Sequence, residues 1–163
     1  MRSLFVIAAV GVLTSIACGS QSNANSSPAA AFSRTDCVDV KARHHAYVVV
    51  QHMSGAVIDR CIGFGATVID GQTIMDRSGI QYQAQAIPSG KAICQVDLEP
   101  RQYTECVSQN SLHWALFIES AGRWSIATTS YPDTRLSDGQ ALGWRYVSAD
   151  ERIPAPPPMP RKG

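Results

Sequence analysis

Cysteines are the residues of this sequence whose chemistry is easiest to infer. Five are present: Cys18, Cys37, Cys61, Cys94 and Cys106. No two have the Cys-x-x-Cys spacing of a zinc site, and no histidine stands at ligand spacing from any of them, which disfavours metal binding. The last four can pair in three ways. A turn-rich loop separates Cys94 from Cys106 and costs little entropy to close, so we predict this disulfide, with Cys37–Cys61 as the remaining pair.

The N-terminal residues indicate export. A short positive region is followed by apolar residues 4–17, which as a helix would span roughly 21 Å, less than the roughly 30 Å core of a bilayer. This is typical of a signal peptide rather than a membrane span. Ser15-Ile16-Ala17 before Cys18 resembles the lipobox of bacterial lipoproteins, although Leu is usual where Ser15 stands. The resemblance implies that Cys18 receives the lipid, palmitate included, and becomes the first mature residue.

Two placements follow from this leader. The first is a lipid anchor at the extracytoplasmic face of the cell membrane, and lipidation of Cys18 leaves an even number of thiols for an oxidising exterior. The second is simple secretion, because an ordinary signal peptidase also cleaves after Ser-x-Ala. We predict residues 1–17 as the signal peptide, 18–35 as a flexible tether, 36–150 as one globular domain, and 151–163 as a proline-rich tail that is extended, unstructured and outside the core.

Charge and motif content exclude several functions. The net charge is +1, with 14 basic and 13 acidic residues, and it falls to zero once Arg2 is removed with the leader. A neutral chain without a basic stripe gives no electrostatic basis for binding nucleic acid. The sequence has no G-x-S-x-G elbow, no P-loop, no HExxH and no paired carboxylates, so we predict a protein that is not an enzyme and holds no metal or resident cofactor.

Alternating apolar residues and turn signals predict about seven strands and one helix. The helix is expected between Thr67 as N-cap and Gly79 as the residue after its end, and Gly71 weakens it. The expected strands cover residues 45–52, 56–64, 80–87, 91–98, 112–119, 123–128 and 141–147. Short turns between neighbours predict an α+β domain with a mainly antiparallel sheet.

Four motifs in order resemble a known group: Ala92-Ile93-Cys94-Gln95-Val96-Asp97, His113-Trp114-Ala115-Leu116-Phe117, Gly122-Arg123-Trp124, and a closing Asp138-Gly139 to Gly143-Trp144-Arg145-Tyr146. They are similar to actinobacterial surface proteins related to the C-terminal domain of transcobalamin and intrinsic factor. The resemblance covers residues 45–147. It implies a β-grasp-like fold, in which a sheet folds over one helix, and a small-molecule ligand such as a cobalamin-like cofactor. His113 departs from the family's usual Tyr.

Side-chain alternation assigns the candidate ligand-binding residues to faces of two strands. Trp114 lies on one face of its strand, with His113 and Phe117 on the opposite face, which we expect to be solvated. Trp144 and Tyr146 share a face of the last strand, with Arg145 pointing away. Core packing is the plain interpretation of the tryptophans, and stacking on a planar ligand is the functional one. Arg145 could bind a carboxylate or phosphate, or pair across strands.

The sequence therefore predicts an exported, lipid-anchored, non-catalytic module that binds a small molecule at the cell surface. Its partners would be the membrane, through the anchor, and a ligand or an envelope transporter component. The alternative is an envelope lipoprotein that binds another protein through a sheet edge or its proline tail. A concave pocket near Trp114 or Trp144 favours the first function, and a flat apolar patch favours the second.

Overall fold

The computed structural model describes residues 37–106 and 112–162. The leader, Cys18 and the tether lie outside this part of the chain. The strands are β1 Cys37–Val38, β2 His44–Gln51, β3 Val57–Phe64, β4 Ile69–Asp70, β5 Tyr82–Ile87, β6 Gly90–Val96, β7 His113–Ser120, β8 Arg123–Ile126, β9 Arg135–Leu136 and β10 Ala141–Val147. One α-helix, α1, covers Gly71–Arg77, and a 3-10 turn covers Tyr131–Asp133. No helix among these residues is long and apolar enough to cross a bilayer.

The main sheet has six strands in the order β1-β3-β2-β10-β7-β8. The fold is α+β as predicted, but the sheet is mixed rather than mainly antiparallel, because β1 pairs parallel to β3 and β10 pairs parallel to β2. The last strand enters the middle of the sheet, between two hairpins that are distant in sequence. Local turn signals reveal the hairpins, but they carry no information about this long-range insertion. The strands β4 and β9, like β1, are two residues long and were not predicted.

Helix α1 is shorter than predicted. Its N-cap is Asp70 rather than Thr67: the Asp70 carboxylate accepts the backbone N–H and the hydroxyl of Thr73, each at 2.8 Å. Burial alone would raise the pKa of Asp70, but these two hydrogen bonds, together with the Asp70 backbone N–H and the charge of Arg135, lower the pKa. Gly79 has φ of 72° and follows the cap residue Ser78, as predicted. The residues after Thr67 form strand β4 instead, because they pair with β9.

The inner face of the main sheet, defined as the face that packs on α1, holds the principal core. Ile74 and Met75 of the helix are fully buried against it. Alternate residues of β2, β7 and β10 point inward, so Trp114, Trp144 and Tyr146 belong to one apolar cluster. The central strand β2 is buried from Ala46 to Val50, as expected for a strand covered on both faces.

The outer face, on the other side of the sheet, is also covered. Phe117 packs with Ala115 and Val147, and Trp124 contacts this cluster as well as a second one around Tyr47. The proline-rich tail lies on this face, where Pro157 and Pro160 are buried. The tail is irregular as predicted, but it is part of the packed structure rather than outside the core.

The position of Gly143 in β10 explains where the tail sits. A Cβ added to Gly143 would lie 2.7 Å from Trp124 Cζ3 and 2.9 Å from Pro157 Cγ. The missing side chain therefore leaves a hollow that the ring of Pro157 approaches closely. The backbone N–H of Arg161 then donates to Asp59 Oδ2 at 2.7 Å, which holds the end of the tail beside β3.

Both predicted disulfides are present. Cys94 pairs with Cys106, and Cys37 pairs with Cys61. The first ties β6 to the segment that follows it, and the second ties the short edge strand β1 to β3. Their sequence separations, 12 and 24 residues, make both of them constraints on the unfolded chain as well as on the fold.

Candidate functional site

A concave cleft opens where the β5–β6 hairpin approaches the main sheet. It has a volume of about 490 Å³, and it is lined by the hairpin, by the beginning of β7 and by residues 127–133 after β8. Three aromatic side chains from different elements meet there: Trp114, Tyr131 and Trp144. Leu116 and Ile93 add apolar surface. A mostly apolar concavity of this size with a few polar groups is typical of a small-molecule site.

The aromatic wall of the cleft is held by specific contacts. Tyr131 and Trp144 pack edge to face, with ring centroids 5.8 Å apart and planes at 69°. Trp114 lies 5.0 Å from Tyr146, and its indole Nε1 donates to the Glu99 carbonyl at 3.1 Å. Trp144 Nε1 is buried and has no hydrogen-bond partner among the described residues. Each of the three rings is therefore in contact with a neighbouring aromatic ring, which fixes its position.

A polar network behind the cleft positions Tyr131. Its hydroxyl donates to Gln72 Oε1 at 2.9 Å, and Gln72 Nε2 donates in turn to the Asp76 carboxylate. The hydroxyl of Tyr82 donates to the same carboxylate. Burial raises the pKa of Tyr131, and burial followed by the hydrogen bond to Asp76 raises the pKa of Tyr82. Both phenols therefore stay neutral at physiological pH.

Among the described residues, the lining of the cleft includes the basic side chain of Lys91 and the acidic side chain of Asp133. Lys91 projects from β6, and its Nζ lies 3.3 Å from Gln72 Oε1. Asp133 stands in the 3-10 turn, where its Oδ2 accepts the Ser130 hydroxyl at 2.7 Å. Among the described residues neither side chain takes part in an ion pair. Hydroxyls of Ser89, Thr128, Thr129 and Ser130 complete the polar part of the lining.

The structure separates the six candidate ligand-binding residues. Trp114, Trp144 and His113 line the cleft, which is the concave pocket that the ligand-binding hypothesis requires. Tyr146 is on the same inner face but lines a neighbouring hollow. Phe117 is only 2% exposed on the outer face, so the expectation of a solvated face there was wrong. It packs there with Ala115, Val147 and Trp124.

Arg145 is also on the outer face and contacts the tail. Its Nη1 lies 2.5 Å from Glu151 Oε1 and donates to the Ala155 carbonyl at 3.0 Å. The hydrogen bond from the Ala155 N–H, followed by the Arg145 contact, lowers the pKa of Glu151. The carboxylate that we considered for Arg145 is therefore supplied by the chain itself, and Arg145 does not reach the cleft.

A second polar cluster, which no sequence pattern indicated, lies around His52 at the end of β2. His52 Nδ1 is 2.7 Å from Glu99 Oε2, and Nε2 is 3.8 Å from Asp97 Oδ2. His52 also packs edge to face on Trp114, with centroids 5.8 Å apart. His52 and Glu99 border a hollow of about 420 Å³, the His52 hollow, together with Met53, Leu98, Leu112 and Tyr146. His52 and Glu99 are 47 residues apart in the chain, so no local pattern could have joined them.

No group of three or more His, Cys, Asp or Glu side chains that could hold a metal ion occurs within residues 37–106 and 112–162.

Comparison with known proteins gives little further information. No family model matches the chain, and no curated protein matches it. Among solved structures, a "putative metal binding protein" from Ruminococcus gnavus ATCC 29149 is 18% identical, with a TM-score of 0.47 over 64% of this chain and 97% of that chain. At this identity and TM-score, the likeness assigns neither a fold nor a ligand to the present chain.

Proposed function

We propose that this protein is a non-catalytic module that binds a small planar molecule in the cleft between the β5–β6 hairpin and the main sheet. The observation that carries the proposal is the convergence of Trp114, Tyr131 and Trp144 on one cavity of about 490 Å³. The three side chains are 7%, 1% and 3% exposed, so they form the fixed floor of the cavity and lose little side-chain entropy when a ligand binds. A β-grasp-like arrangement is proposed with it, since two hairpins, a central parallel pair and one helix on the inner face are consistent with that fold.

The cleft volume supports a ligand of ordinary drug-like size in a partly open cavity. A cobalamin-like cofactor, which the family resemblance suggests, is larger than such a cavity. It would be covered on one side, with the cleft taking only a peripheral group.

A fragment titration tests the proposal. The experiment uses the ¹⁵N-labelled mature protein and a panel of neutral aromatic fragments, with cyanocobalamin titrated separately. Binding in the cleft predicts shifts of the indole Nε1–H signals of Trp114 and Trp144, while the signal of Trp124 on the outer face stays unchanged as an internal control. The proposal fails if no fragment and no cobalamin shifts the two cleft indoles at millimolar and high micromolar concentrations respectively.

We also propose export and lipid anchoring, which rest on the leader and on Cys18. The two disulfides are consistent with an oxidising compartment, since such bonds are rare in reducing ones. The intact mass of the protein extracted from its native membranes tests both points. Diacyl mass on a chain that begins at Cys18 supports the anchor, a mature chain without acyl mass supports simple secretion, and an unprocessed leader contradicts export.

The absence of catalysis is proposed on the chemistry of the His52 hollow. His52 and Glu99 form an acid–imidazole pair, but the hydroxyl nearest in sequence that borders the hollow, Ser54 Oγ, accepts the Ala56 N–H and makes no hydrogen bond with His52. A histidine activates a serine nucleophile through such a bond. Labelling of Ser54 by a fluorophosphonate, blocked by His52→Ala, would refute this part of the proposal.

A protein-interaction module is the second candidate, and the same end of the sheet favours it. Met53, Leu98 and Leu112 are each about half or more exposed and border the His52 hollow. A cluster of exposed apolar side chains is a common feature of protein-binding surfaces. Leu98→Asp would abolish such an interaction while leaving fragment binding in the cleft unchanged, which separates the two functions.

A further inference from the structure

We infer that the cleft is built for a ligand with a zwitterionic head, such as an aromatic amino acid, with the ring inside the cleft and both charges at its charged residues. This inference rests on the proposed function of the cleft and narrows it to one class of ligand. It is carried by the placement of Lys91 and Asp133, which have opposite charges, border the same cavity and do not neutralise each other.

The hairpin turn packs closely against the turn that carries Asp133. Gly90, next to Lys91 in the chain, has φ of 122°, and a Cβ there would lie 2.5 Å from Ser130 Oγ and 3.6 Å from Asp133 Oδ2. Only a glycine allows the tip of the hairpin to approach this closely. The contact sets the backbone beside Lys91 against the turn that carries Asp133.

Each charge is held by a neutral hydrogen bond instead of an ion pair. Lys91 Nζ is 3.3 Å from the amide oxygen of Gln72, and the Asp133 carboxylate accepts the hydroxyl of Ser130. Oppositely charged neighbours on a surface commonly pair with each other, yet no carboxylate lies within 4.0 Å of Lys91 Nζ among the described residues. The carboxylate of a ligand can therefore pair with Lys91, and its ammonium with Asp133, without breaking an existing ion pair.

A ligand with a single charge fits this rim less well. An anionic ligand is attracted by Lys91 but repelled by Asp133. A cationic ligand is attracted by Asp133 but repelled by Lys91. A zwitterion gains from both residues, because both side chains line the same cavity. The hydroxyls of Thr129 and Ser130 offer further hydrogen bonds to the same head group.

Three probes that share one ring system separate these contributions. L-tryptophan carries both charges, indole-3-propionate lacks the ammonium, and tryptamine lacks the carboxylate. Isothermal titration of the mature protein is expected to give the tightest binding for L-tryptophan, by about fivefold to tenfold over each of the other two probes.

Two variants assign each charge to its partner. Lys91→Met is expected to weaken the binding of L-tryptophan and of indole-3-propionate by about fivefold, and not to weaken the binding of tryptamine. Asp133→Asn can still accept a hydrogen bond from the Ser130 hydroxyl. It should weaken the binding of L-tryptophan and of tryptamine, but not the binding of indole-3-propionate. Lys41→Met, a change of an exposed lysine before β2, is the matched control and should alter none of the three affinities.

The inference is overturned if the three probes bind equally, if a singly charged probe binds tightest, or if Lys91→Met leaves all three affinities unchanged. It is also overturned if none of the three binds. In those cases neutral fragments that shift the Trp114 and Trp144 indole signals would still support a ligand cleft, so failure of this inference is distinguishable from failure of the proposed function.

Discussion

Lys162, near the C-terminus, reaches the outer face of the sheet and places its Nζ 2.7 Å from Glu119 Oε2, a carboxylate whose side chain is fully buried in β7. The other carboxylate oxygen, Oε1, accepts the Gly122 N–H at 2.7 Å. A buried carboxylate needs such partners, because an unpaired charge away from water is costly. The ion pair therefore links the last residues of the tail to the central part of the fold, 43 residues earlier in the chain.

The Lys162–Glu119 pair predicts a loss of stability when the lysine is removed. Lys162→Met should lower the free energy of unfolding by about 1–2 kcal/mol, less than the roughly 3–5 kcal/mol of a fully buried pair, because the lysine side chain is 40% exposed. Urea denaturation measures the change. Adding Glu119→Gln to Lys162→Met should recover part of it, since the buried charge is then gone. No loss in the single variant would show that the tail does not stabilise the fold.

The hollow at Gly143 predicts that one added methyl group disturbs the tail. In Gly143→Ala the new Cβ would collide with Trp124 and Pro157, which should cost about 1–3 kcal/mol and loosen the tail. Amide hydrogen exchange at Ala155 and Arg161, whose N–H groups hydrogen bond to Glu151 and Asp59, reports on the tail directly. Gly65→Ala, where a Cβ meets no atom within 4 Å, is the control. Unchanged exchange in Gly143→Ala would argue against close packing of the tail there.

The two ends of the tail should respond to different pH ranges. The pKa of Glu151 is lowered from its ordinary 4.5 by the Ala155 N–H and Arg145. The stabilisation that ionised Glu151 gives to the docked tail is therefore complete above about pH 4.5, and it is lost as the pH falls through the lowered pKa of Glu151. At the other end of the tail, burial raises the pKa of Asp59, so ionisation of Asp59 lowers the stability of the fold. Protonation of Asp59 removes this cost as the pH falls through its raised pKa.

An NMR titration of the Ala155 and Arg161 amide signals checks this order. The Arg161 signal should titrate at the higher pH, and Glu151→Gln should remove the titration of Ala155 alone. A single shared transition at both amides would contradict independent docking of the two ends.

The two disulfides are expected to make separate contributions of similar size to the free energy of unfolding. For closed loops of 12 and 24 residues, loss of either bond should cost about 3 kcal/mol through the entropy of the unfolded chain. Paired alanine variants of Cys37 with Cys61, and of Cys94 with Cys106, measured by urea denaturation, test this. Because Cys106 also lines the cleft, only the second pair should weaken fragment binding. Equal loss of binding in both variants would indicate a global effect instead.

The sequence allowed prediction of those features that depend on near neighbours. Turn signals located the β2–β3, β7–β8 and β5–β6 hairpins. The alternation of side chains placed Trp114, Trp144 and Tyr146 on the apolar faces of their strands. The closure entropy of a short loop identified Cys94–Cys106 correctly. Each of these rests on the chemistry of residues within a few positions of one another.

Long-range packing could not be predicted in this way. The insertion of β10 beside β2 decides that the sheet is mixed, and it depends on the pairing of Leu142 with Val48, almost the whole domain apart. The burial of Phe117 depends on its packing with Val147 and Trp124, which lie on other strands of the sheet. The His52–Glu99 contact has the same origin, because it joins the end of β2 to the loop after β6.

Ligand binding in the cleft is the central claim, and filling the cleft tests it most directly. Ala92 lines the cleft on β6, so Ala92→Trp should occupy the cavity, whereas Ala66→Trp adds the same ring to an exposed loop. For a neutral aromatic fragment or L-tryptophan that binds the native protein, the account predicts affinity at least tenfold weaker in Ala92→Trp and unchanged in Ala66→Trp, with both variants folded by circular dichroism. Equal affinity in the native protein and in folded Ala92→Trp would contradict it.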